Sequence, residues 1–337
     1  MKKILILTRF RGEYEPTRLK KEAVALGYVA DVVNYEQVRI GVGQDGNPEI
    51  DLGTGKLLEE YDLVIPRAAS ARGKISMTGV KTVILEYLEK YDGGKICMDS
   101  RLRGNDLIVG WDCHVSTLAM TRKDEEEKVK VLNGRSFKAF PMLGKMEQGI
   151  LLSQVGLPAI PFQSFNGKKG WKSFLGSDPK LPVMVKMRFG SHGKGVRLAE
   201  TRGKLEKLSH KYAEGTVLIQ PVLKVRRWYR VIVLEGKVLG MMAHRQKGKF
   251  QTEEISEKVK DVKPEFSEMQ FDELKSICLG ACELFECDFA GLDVAWEEDQ
   301  KRWIIFEINR TAQFKWFEKA HPEINVGKSM LTFDKMK

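Results

Sequence analysis

The chain has 337 residues, which at roughly 150 residues per domain indicates about two domains and a substantial buried core. Hydrophobic residues make up 42% and charged residues 30%, values that are typical of globular proteins and exclude collagen, coiled coil or disorder as the main architecture. Lys and Arg total 56 against 46 Asp and Glu, so the net charge of +10 favours anionic partners such as nucleotides, acidic peptides or nucleic acid.

The sequence carries no signal for a membrane or an oxidising compartment. Apolar runs stay well below the roughly 18 residues that a membrane-spanning helix needs, and the run from Ile4 to Leu7 is too short for a signal peptide. Five cysteines in a chain of this size do not indicate a disulfide framework. We expect a soluble, cytoplasmic protein. Cys278, Cys282 and Cys287 are interpreted as buried core residues without a metal, because no fourth ligand lies nearby.

The first 100 residues alternate apolar runs with helical patterns, which predicts a parallel α/β sheet. Residues 41–55 are rich in Gly and Asp and predict a hairpin or loop. The predicted strands are residues 3–8, 29–34, 61–66 and 95–98, and the predicted helices are residues 18–26 and 81–91.

The second half predicts an α+β fold, because helices there alternate with strands that follow one another closely. A helix over residues 145–154 should end at Gly156, and another is expected near residues 271–285. A strand is predicted at residues 183–187. An antiparallel sheet is predicted from residues 217–221, 229–234, 237–242, 291–296 and 303–308.

Oxygen-bearing side chains mark one face of the last two predicted strands. If these strands pair about Gln300, Asp293 lies opposite Glu307, and Glu307 shares its face with Asn309. Ile304, Phe306 and Ile308 then point to the opposite face, with Phe306 across from Val294 and Ile304 across from Trp296. Carboxylate and amide oxygens suit Mg²⁺, so the pattern indicates a metal site, and a hairpin with one polar face in water is the alternative.

A buried cation and a glycine-rich loop follow one another in the middle of the chain. Lys186 interrupts an apolar strand, where an ammonium group needs an anionic partner. The loop at residues 190–195 offers backbone N–H groups to phosphates, although taken alone it would indicate a flexible hairpin. Together with the predicted metal site, the two features indicate a mobile lid over a triphosphate.

The order of these segments resembles a known family. The segments are Lys145 with the turn at residues 156–158, Lys186 with the loop after it, residues 217–222, residues 229–231, residues 291–293 and residues 306–309. Their order resembles the ATP-grasp fold and, within it, the RimK-like carboxylate–amine ligases, which include glutamate ligases that modify a ribosomal protein tail. Residues 61–67 also resemble the N-terminal domain of that family.

The resemblance implies an α/β N-terminal domain with a parallel sheet, followed by two α+β ATP-grasp subdomains that clamp ATP. The N-terminal domain is expected at residues 1–100, with a connector at 101–144. The central subdomain with the lid loop is expected at residues 145–222, and the C-terminal subdomain with the metal site at 223–337.

The resemblance also implies a role for individual residues. Arg230 would be catalytic at the transferred phosphate, and Asp293, Glu307 and Asn309 would bind Mg²⁺, with Mn²⁺ as an alternative ion. ATP would contact phosphate-binding lysines, the lid loop and a hinge along the adenine. These residues are Lys145, Lys186, Ser191, Gly193, Lys194, Gly195, Gln220, Pro221, Val222 and Leu223.

The implied activity is an ATP- and Mg²⁺-dependent ligation of a carboxylate to an amine through an acyl phosphate, with an amino acid or peptide as acceptor and a homo-oligomer as an alternative to a monomer. An ATP-grasp kinase that phosphorylates a small-molecule hydroxyl is a second hypothesis. A basic nucleic-acid-binding protein is the least favoured, suggested by cations that alternate with aromatics from Lys224 to Arg230.

Two departures from the family pattern concern the acceptor end. Asn309 precedes Arg310 where the family has small residues, Pro and Gly, and residues 250–252 lack the expected Arg and Asn. The sequence therefore predicts a retained ATP site and an altered acceptor site.

Overall fold

The computed structural model describes residues 1–10, 12–44, 48–69, 78–92, 95–96, 129–187, 196–244 and 266–332. The chain divides into two compact units. The first contains Met1–Gly12 and Ala23–Gly134, and the second contains Glu13–Glu22 and Arg135–Lys337. Most of helix α1, Tyr14–Ala25, therefore belongs to the second unit.

A parallel sheet with strand order β2-β1-β5-β8 forms the core of the first unit, which confirms the predicted fold of this part. Ile4 to Leu7 in its central strand are 0% exposed, as expected for a continuous apolar strand of a parallel sheet. The elements of this unit are β1 Lys3–Thr8, β2 Val29–Asn34, β3 Arg39–Val42, β4 Pro48–Asp51, β5 Leu63–Pro66, α2 Thr78–Lys90, β6 Tyr91–Asp92, β7 Lys95–Ile96 and β8 Lys130–Val131.

Two short antiparallel ribbons accompany the parallel sheet. Strands β3 and β4 pair antiparallel, which confirms the hairpin predicted at residues 41–55. The strand predicted at residues 95–98 is only partly right, because β7 pairs antiparallel with β6 and the parallel sheet gains β8 instead. Only two residues separate β6 from β7, and such a short connection joins antiparallel strands, not parallel ones.

Within its described residues, the second unit contains two antiparallel sheets of four strands each, with helices beside them. Its elements after α1 are α3 Gly134–Ala139, α4 Lys145–Gln154, β9 Gln163–Asn166, α5 Gly167–Gly176, β10 Val183–Met187, β11 Val196–Ala199, α6 Arg202–Lys211, β12 Thr216–Pro221, β13 Trp228–Leu234, β14 Lys237–His244, α7 Glu268–Leu284, β15 Phe289–Glu297, β16 Arg302–Asn309, α8 Lys315–Ala320 and α9 Val326–Leu331.

The central sheet has the order β11-β10-β12-β9. Val183, Val185, Val217 and Ile219 on one face join the apolar core beneath α5 and α6. The assignment of residues 217–221 to the same sheet as the later strands was wrong. Strand β12 already has β10 and β9 on its two sides, so neither edge is open to β13.

The C-terminal sheet has the order β14-β13-β15-β16, and helix α7 packs on one of its faces. Helix α7 begins with a capping box in which Ser267 and Gln270 satisfy each other's backbone N–H groups. Cys278 and Cys282 lie on the buried face of α7 and belong to the core, as predicted, whereas Cys287 is half-buried. Burial raises the pKa of Cys278 to about 12, so this thiol stays protonated at neutral pH.

A β-bulge in β16 changes which side chains face the core. Asp293 pairs with Glu307 as predicted, but Val294 then pairs with Ile305, and Phe306 is the extra residue. The predicted pairing of Val294 with Phe306 was therefore wrong, as was that of Trp296, which pairs with Trp303. Phe306 is half-buried on the side of Lys186, whose Nζ lies 5.9 Å from the centre of its ring.

Helix α1 supplies polar contacts to the end of the chain. The buried Glu318 carboxylate accepts hydrogen bonds from Tyr14 Oη at 2.8 Å, from Arg18 Nε at 3.0 Å and from the Gly327 N–H at 3.2 Å. Asn325 donates to Glu22 at 2.9 Å. Residues 13–22 are thus part of the second unit, although they are far in sequence from the rest of that unit.

Within the described ranges, no helix combines the length and apolar character that crossing a membrane requires.

Candidate active site

Helix α4 brings Lys145 to the strand that carries two of the predicted metal ligands. Lys145 is the first residue of the helix, and its Nζ lies 2.6 Å from Glu307 Oε2. The two side chains are 18% and 31% exposed, which makes this a partly shielded ion pair and not an exposed helix start. The contact joins a predicted phosphate-binding lysine to a predicted metal ligand.

Arg230 and Asp293 form a second ion pair on the neighbouring strands. Arg230 Nε donates to Asp293 Oδ1 at 2.8 Å, and Nη2 donates to Oδ2 at 3.1 Å, so the pair is bidentate. Burial raises the pKa of Asp293, and the adjacent guanidinium offsets part of that rise. Strand pairing puts Arg230 next to Asp293 and Asp293 next to Glu307, in one row across the sheet.

Lys186 projects from the face of the central sheet that is opposite its apolar core. Its neighbours on that face are Met184, Leu218 and Gln220, because side chains alternate along β10 and β12. The pKa of Lys186 is lowered to about 8, chiefly by loss of solvent and also by the positive charge of Lys145, while Glu307 opposes both effects. This electrostatic coupling joins the central sheet to the ion pairs of the C-terminal sheet.

Asn309 lies at the end of β16 and pairs with Gly291. Asp293, Glu307 and Asn309 occupy neighbouring positions on the face opposite α7, and Gly291 leaves room there because an added Cβ would lie 2.5 Å from Ala312 Cβ. In the described part of the chain no three His, Cys, Asp or Glu side chains gather as ligands of one ion. Two carboxylates and one amide nevertheless fit Mg²⁺, which takes few protein ligands and completes its shell with water and phosphate oxygens.

The remaining predicted ATP contacts are divided between described and undescribed residues. Gln220 is buried at the end of β12, and Pro221 and Val222 are exposed. Leu223 is half-buried in the segment leading to β13. Ser191, Gly193, Lys194 and Gly195, like residues 250–252, lie outside the described residues.

Two residues of this region were missed from the sequence. Gln148 is buried in α4 and hydrogen-bonds the backbone of Ile308 between Glu307 and Asn309. A signal for it existed, because a polar residue three positions after Lys145 and four before the buried Leu152 shares their helix face. No signal in the sequence marked the position of Phe306, because the β-bulge determines which face of the sheet its side chain occupies.

The basic segment that suggested nucleic-acid binding does not offer a row of stacking aromatics. Tyr229 is 1% exposed and packs in the core beneath α7, with its ring 6.0 Å from that of Trp303. Arg226 is 80% exposed and forms an ion pair with Glu298 at 3.2 Å. Aromatic stacking on bases requires exposed ring faces, which Tyr229 lacks.

Arg310, which departs from the family pattern, has a structural contact. Its Nη1 donates to the Ser136 carbonyl at 2.7 Å, and its guanidinium lies 4.6 Å from the Phe137 ring centre. Burial lowers the pKa of Arg310 to about 10. The arginine therefore ties the end of β16 to α3.

Sequence comparisons match both parts of the chain to one family. The RimK pre-ATP-grasp domain matches residues 1–91, and the RimK-like ATP-grasp domain matches residues 151–333. A probable alpha-L-glutamate ligase of Legionella pneumophila (strain Corby) is 24% identical over 324 residues, covering 94% of this chain and 90% of the relative. Another of Vibrio atlanticus (strain LGP32) is 22% identical over 327 residues, with the same coverage of 94% and 90%.

Solved structures share the fold. The ATP-grasp ligase PsnB, complexed with a minimal precursor, Mg and ADP, has a TM-score of 0.60 and 16% identity, covering 97% of this chain and 95% of its own. The macrocyclase MdnC of Microcystis aeruginosa MRC, bound with precursor peptide MdnA, has a TM-score of 0.61 and 15% identity, covering 97% of both chains. With a pre-ATP-grasp domain followed by an ATP-grasp domain that spans more than half its length, the chain belongs to the RimK-like ATP-grasp ligase family.

Proposed function

We propose that this protein ligates a carboxylate to an amine at the expense of ATP, in a Mg²⁺-dependent reaction. The observation that carries the proposal is a row of four charged side chains, in which two neighbouring carboxylates, Asp293 and Glu307, are flanked by Arg230 on one side and by Lys145 from α4 on the other. A site for a metal–triphosphate complex needs carboxylates for the cation and cations for the phosphates, and this row supplies both.

The chain's own groups bind and orient the nucleotide. Lys145 and Lys186 hold the phosphates, and Gln220 to Leu223 form the hinge that offers main-chain hydrogen bonds along the adenine. Ser191, Gly193, Lys194 and Gly195 are proposed to close over the phosphates. Residues 145–222 and 223–337 are proposed as the two subdomains that clamp ATP, after an N-terminal domain at 1–100 and a connector at 101–144 that also supplies β8 to the parallel sheet.

Asp293, Glu307 and Asn309 are proposed to hold Mg²⁺ or Mn²⁺, which when bound neutralises phosphate charge. Arg230 is proposed to stabilise charge that develops on the transferred phosphoryl group, and its hydrogen bond to the proposed metal ligand Asp293 supports this role. Covalent catalysis by the protein is not required, because positioning and electrostatics carry phosphoryl transfer.

The proposed reaction has two balanced steps. A carboxylate oxygen of the substrate attacks the γ-phosphorus, which forms the acyl phosphate and releases ADP. The amine nitrogen then attacks the acyl carbon, the C–O bond to phosphate breaks, and the amide, inorganic phosphate and a proton are released.

The acceptor is proposed to be an amino acid or a peptide. Relatives in bacteria bear the name probable alpha-L-glutamate ligase, and PsnB and MdnC were solved with precursor peptides. A relative named for glutamate and two solved ligases that hold precursor peptides support an amino acid or a peptide as the substrate class here.

The test is a phosphate-release screen with ATP and Mg²⁺ against amino acids and acidic peptides. Asp293→Ala should lower substrate-stimulated release by roughly 10²-fold or more, as should chelation of the metal. Asp272→Ala is the matched control, because Asp272 is 66% exposed on α7 and should leave release unchanged. Release that survives Asp293→Ala would contradict the assigned site.

Product analysis separates the ligase from the kinase. A ligase yields an amide together with ADP and free phosphate, whereas a kinase yields a phosphoester and ADP without free phosphate. Detection of a phosphoester would replace carboxylate activation by hydroxyl phosphorylation at the same ATP site.

A further inference from the structure

The strand that carries Glu307 and Asn309 lies at the edge of the described C-terminal sheet. Backbone groups on the outer side of an edge strand need partners other than a full neighbouring strand. Ile305 N donates to the Pro158 carbonyl at 2.8 Å. Ile308, which is 2% exposed, needs a further partner because a buried and unsatisfied amide is costly.

Gln148 satisfies both backbone groups of Ile308. Its Nε2 donates to the Ile308 carbonyl at 3.1 Å, and its Oε1 accepts from the Ile308 N–H at 2.9 Å. The Gln148 side chain is thus paired with the strand as a residue of an adjacent strand would be. Its burial at 5% exposure keeps water from competing for these bonds.

The helix that carries Gln148 also carries Lys145. Residues three apart share a helix face, so Lys145 contacts Glu307 while Gln148 contacts Ile308, the next residue of the strand. The two contacts fix the helix N-terminus against β16 at consecutive positions. A side chain that both donates and accepts is needed, which excludes Glu, Met and Lys at position 148 as replacements.

We propose that Gln148 is a positioning residue for the metal–nucleotide site. By holding Ile308, it fixes the backbone on both sides, and hence the directions of Glu307 and Asn309 relative to Lys145. This inference rests on the proposed function, because Glu307 and Asn309 matter here as metal ligands. Gln148 is not among the residues proposed to bind the nucleotide or the metal.

The test measures binding without turnover. Mn²⁺ affinity is followed by electron paramagnetic resonance with the β,γ-imido analogue of ATP, and exchange of the Ile308 amide by mass spectrometry. Gln148→Met and Gln148→Glu should weaken Mn²⁺ binding by about 10-fold to 100-fold and speed the exchange, as loss of a group that orients metal ligands does. Gln148→Asn keeps the amide on a shorter side chain and should recover part of the affinity.

The matched control is Gln154→Met, because Gln154 is exposed at the end of the same helix and its replacement should change neither readout. A lower melting temperature with unchanged Mn²⁺ affinity in the Gln148 variants would overturn the inference. If Gln148→Met does not fold, the Mn²⁺ affinities of Gln148→Glu and Gln148→Asn are compared. Equal affinities in these two variants would overturn the inference. Asp293→Asn tests the proposed metal site separately from the role of Gln148. Unchanged Mn²⁺ affinity in this variant would overturn the proposed metal site, and with it the inference.

Discussion

The central and C-terminal sheets of the second unit treat charge differently. In the C-terminal sheet, Arg230 and Asp293 face each other in a bidentate pair, and Glu307 meets Lys145 from α4. The central sheet contributes Lys186, which lies over the Phe306 ring in surroundings that lower its pKa to about 8. In the C-terminal sheet, each side chain of the row of four charges is paired with one of opposite charge. In the central sheet, the lysine is partly removed from water, which disfavours its charged form.

This difference indicates a division of roles. Paired charges keep their side chains in place before substrate arrives, which suits groups that must define a geometry. A partly desolvated lysine gains more from an arriving phosphate than a hydrated one does, because water competes less for it. We therefore expect substitutions in the C-terminal sheet to affect both folding and catalysis, and substitutions at Lys186 to affect nucleotide affinity above all.

The largest effect is expected from Arg230→Met, which removes the partner of a buried carboxylate. Leaving Asp293 unpaired should lower the free energy of unfolding by roughly 3 kcal/mol, because the pair is only 13% and 12% exposed. Phosphate release should fall by roughly 10³-fold. Urea denaturation and the release assay measure the two effects. Adding Asp293→Leu should restore stability but not activity. Recovery of both would contradict the role assigned to the paired charges of the C-terminal sheet in catalysis.

Lys186 should give opposite pH trends in stability and in ATP binding. Its pKa is lowered from 10.5 to about 8, so between these values the unfolded chain binds more protons on this residue. Unfolding free energy should therefore rise with pH across that window, by roughly 2 kcal/mol after allowance for partial exposure. Over the same window the KM for ATP should increase, because the ammonium loses its charge.

Two variants isolate the contribution of Lys186. The difference in unfolding free energy between the protein and Lys186→Met, measured on either side of pH 8, removes the background from other lysines. Lys186→Arg stays charged and should flatten the pH dependence of the KM. An unchanged KM profile in Lys186→Arg would place the titrating group elsewhere.

A smaller effect is expected from Gly291→Ala. The added Cβ would lie 2.5 Å from Ala312 Cβ, so the segment after Asn309 must shift. Overpacking of this kind costs roughly 1–3 kcal/mol, and the displacement should also lower phosphate release. Ala312→Gly in the same chain should relieve the clash, and thermal melts of the single and double variants measure it. Additive losses in the double variant would exclude the clash as the cause.

The smallest effect is expected from Lys224→Ala at the surface of the C-terminal sheet. Lys224 Nζ lies 3.2 Å from Asp299, but the two side chains are 72% and 66% exposed. Such pairs contribute about 0.5 kcal/mol or less, so stability and phosphate release should stay unchanged. A pronounced loss of RNA retention in this variant, with no ATP turnover in the unaltered protein, would revive the nucleic-acid hypothesis.

Strand periodicity was sufficient to predict much of the architecture. Continuous apolar runs predicted the parallel sheet, and alternation predicted that Asp293 would face Glu307. The register beyond that pair failed because a bulge at Phe306 inserts one residue, and nothing in the local sequence marks it. Sheet membership failed at residues 217–221 because strand neighbours depend on contacts distant in sequence.

The candidate site was predictable as a set of residue types but not as a set of contacts. Glu307 was singled out from strand alternation and Lys145 and Arg230 from the resemblance, whereas their ion pairs required the fold. The sequence places Gln148 on the helix face of Lys145 and the buried Leu152, but its bonding partner could not be predicted because it depends on the edge of a strand that is distant in sequence. Placement of ATP and Mg²⁺ on these residues stays a prediction.

Because residues 13–22 are part of the second unit, this unit cannot be produced in full from a continuous C-terminal stretch of the gene. A recombinant fragment starting at Arg135 would lose Tyr14, Arg18 and Glu22, and with them partners of Glu318 and Asn325. We expect such a truncation to misfold or aggregate unless the early segment is supplied in trans or fused to it. The codons for residues 135–337 are therefore expected to encode a folded unit only together with the codons for residues 13–22.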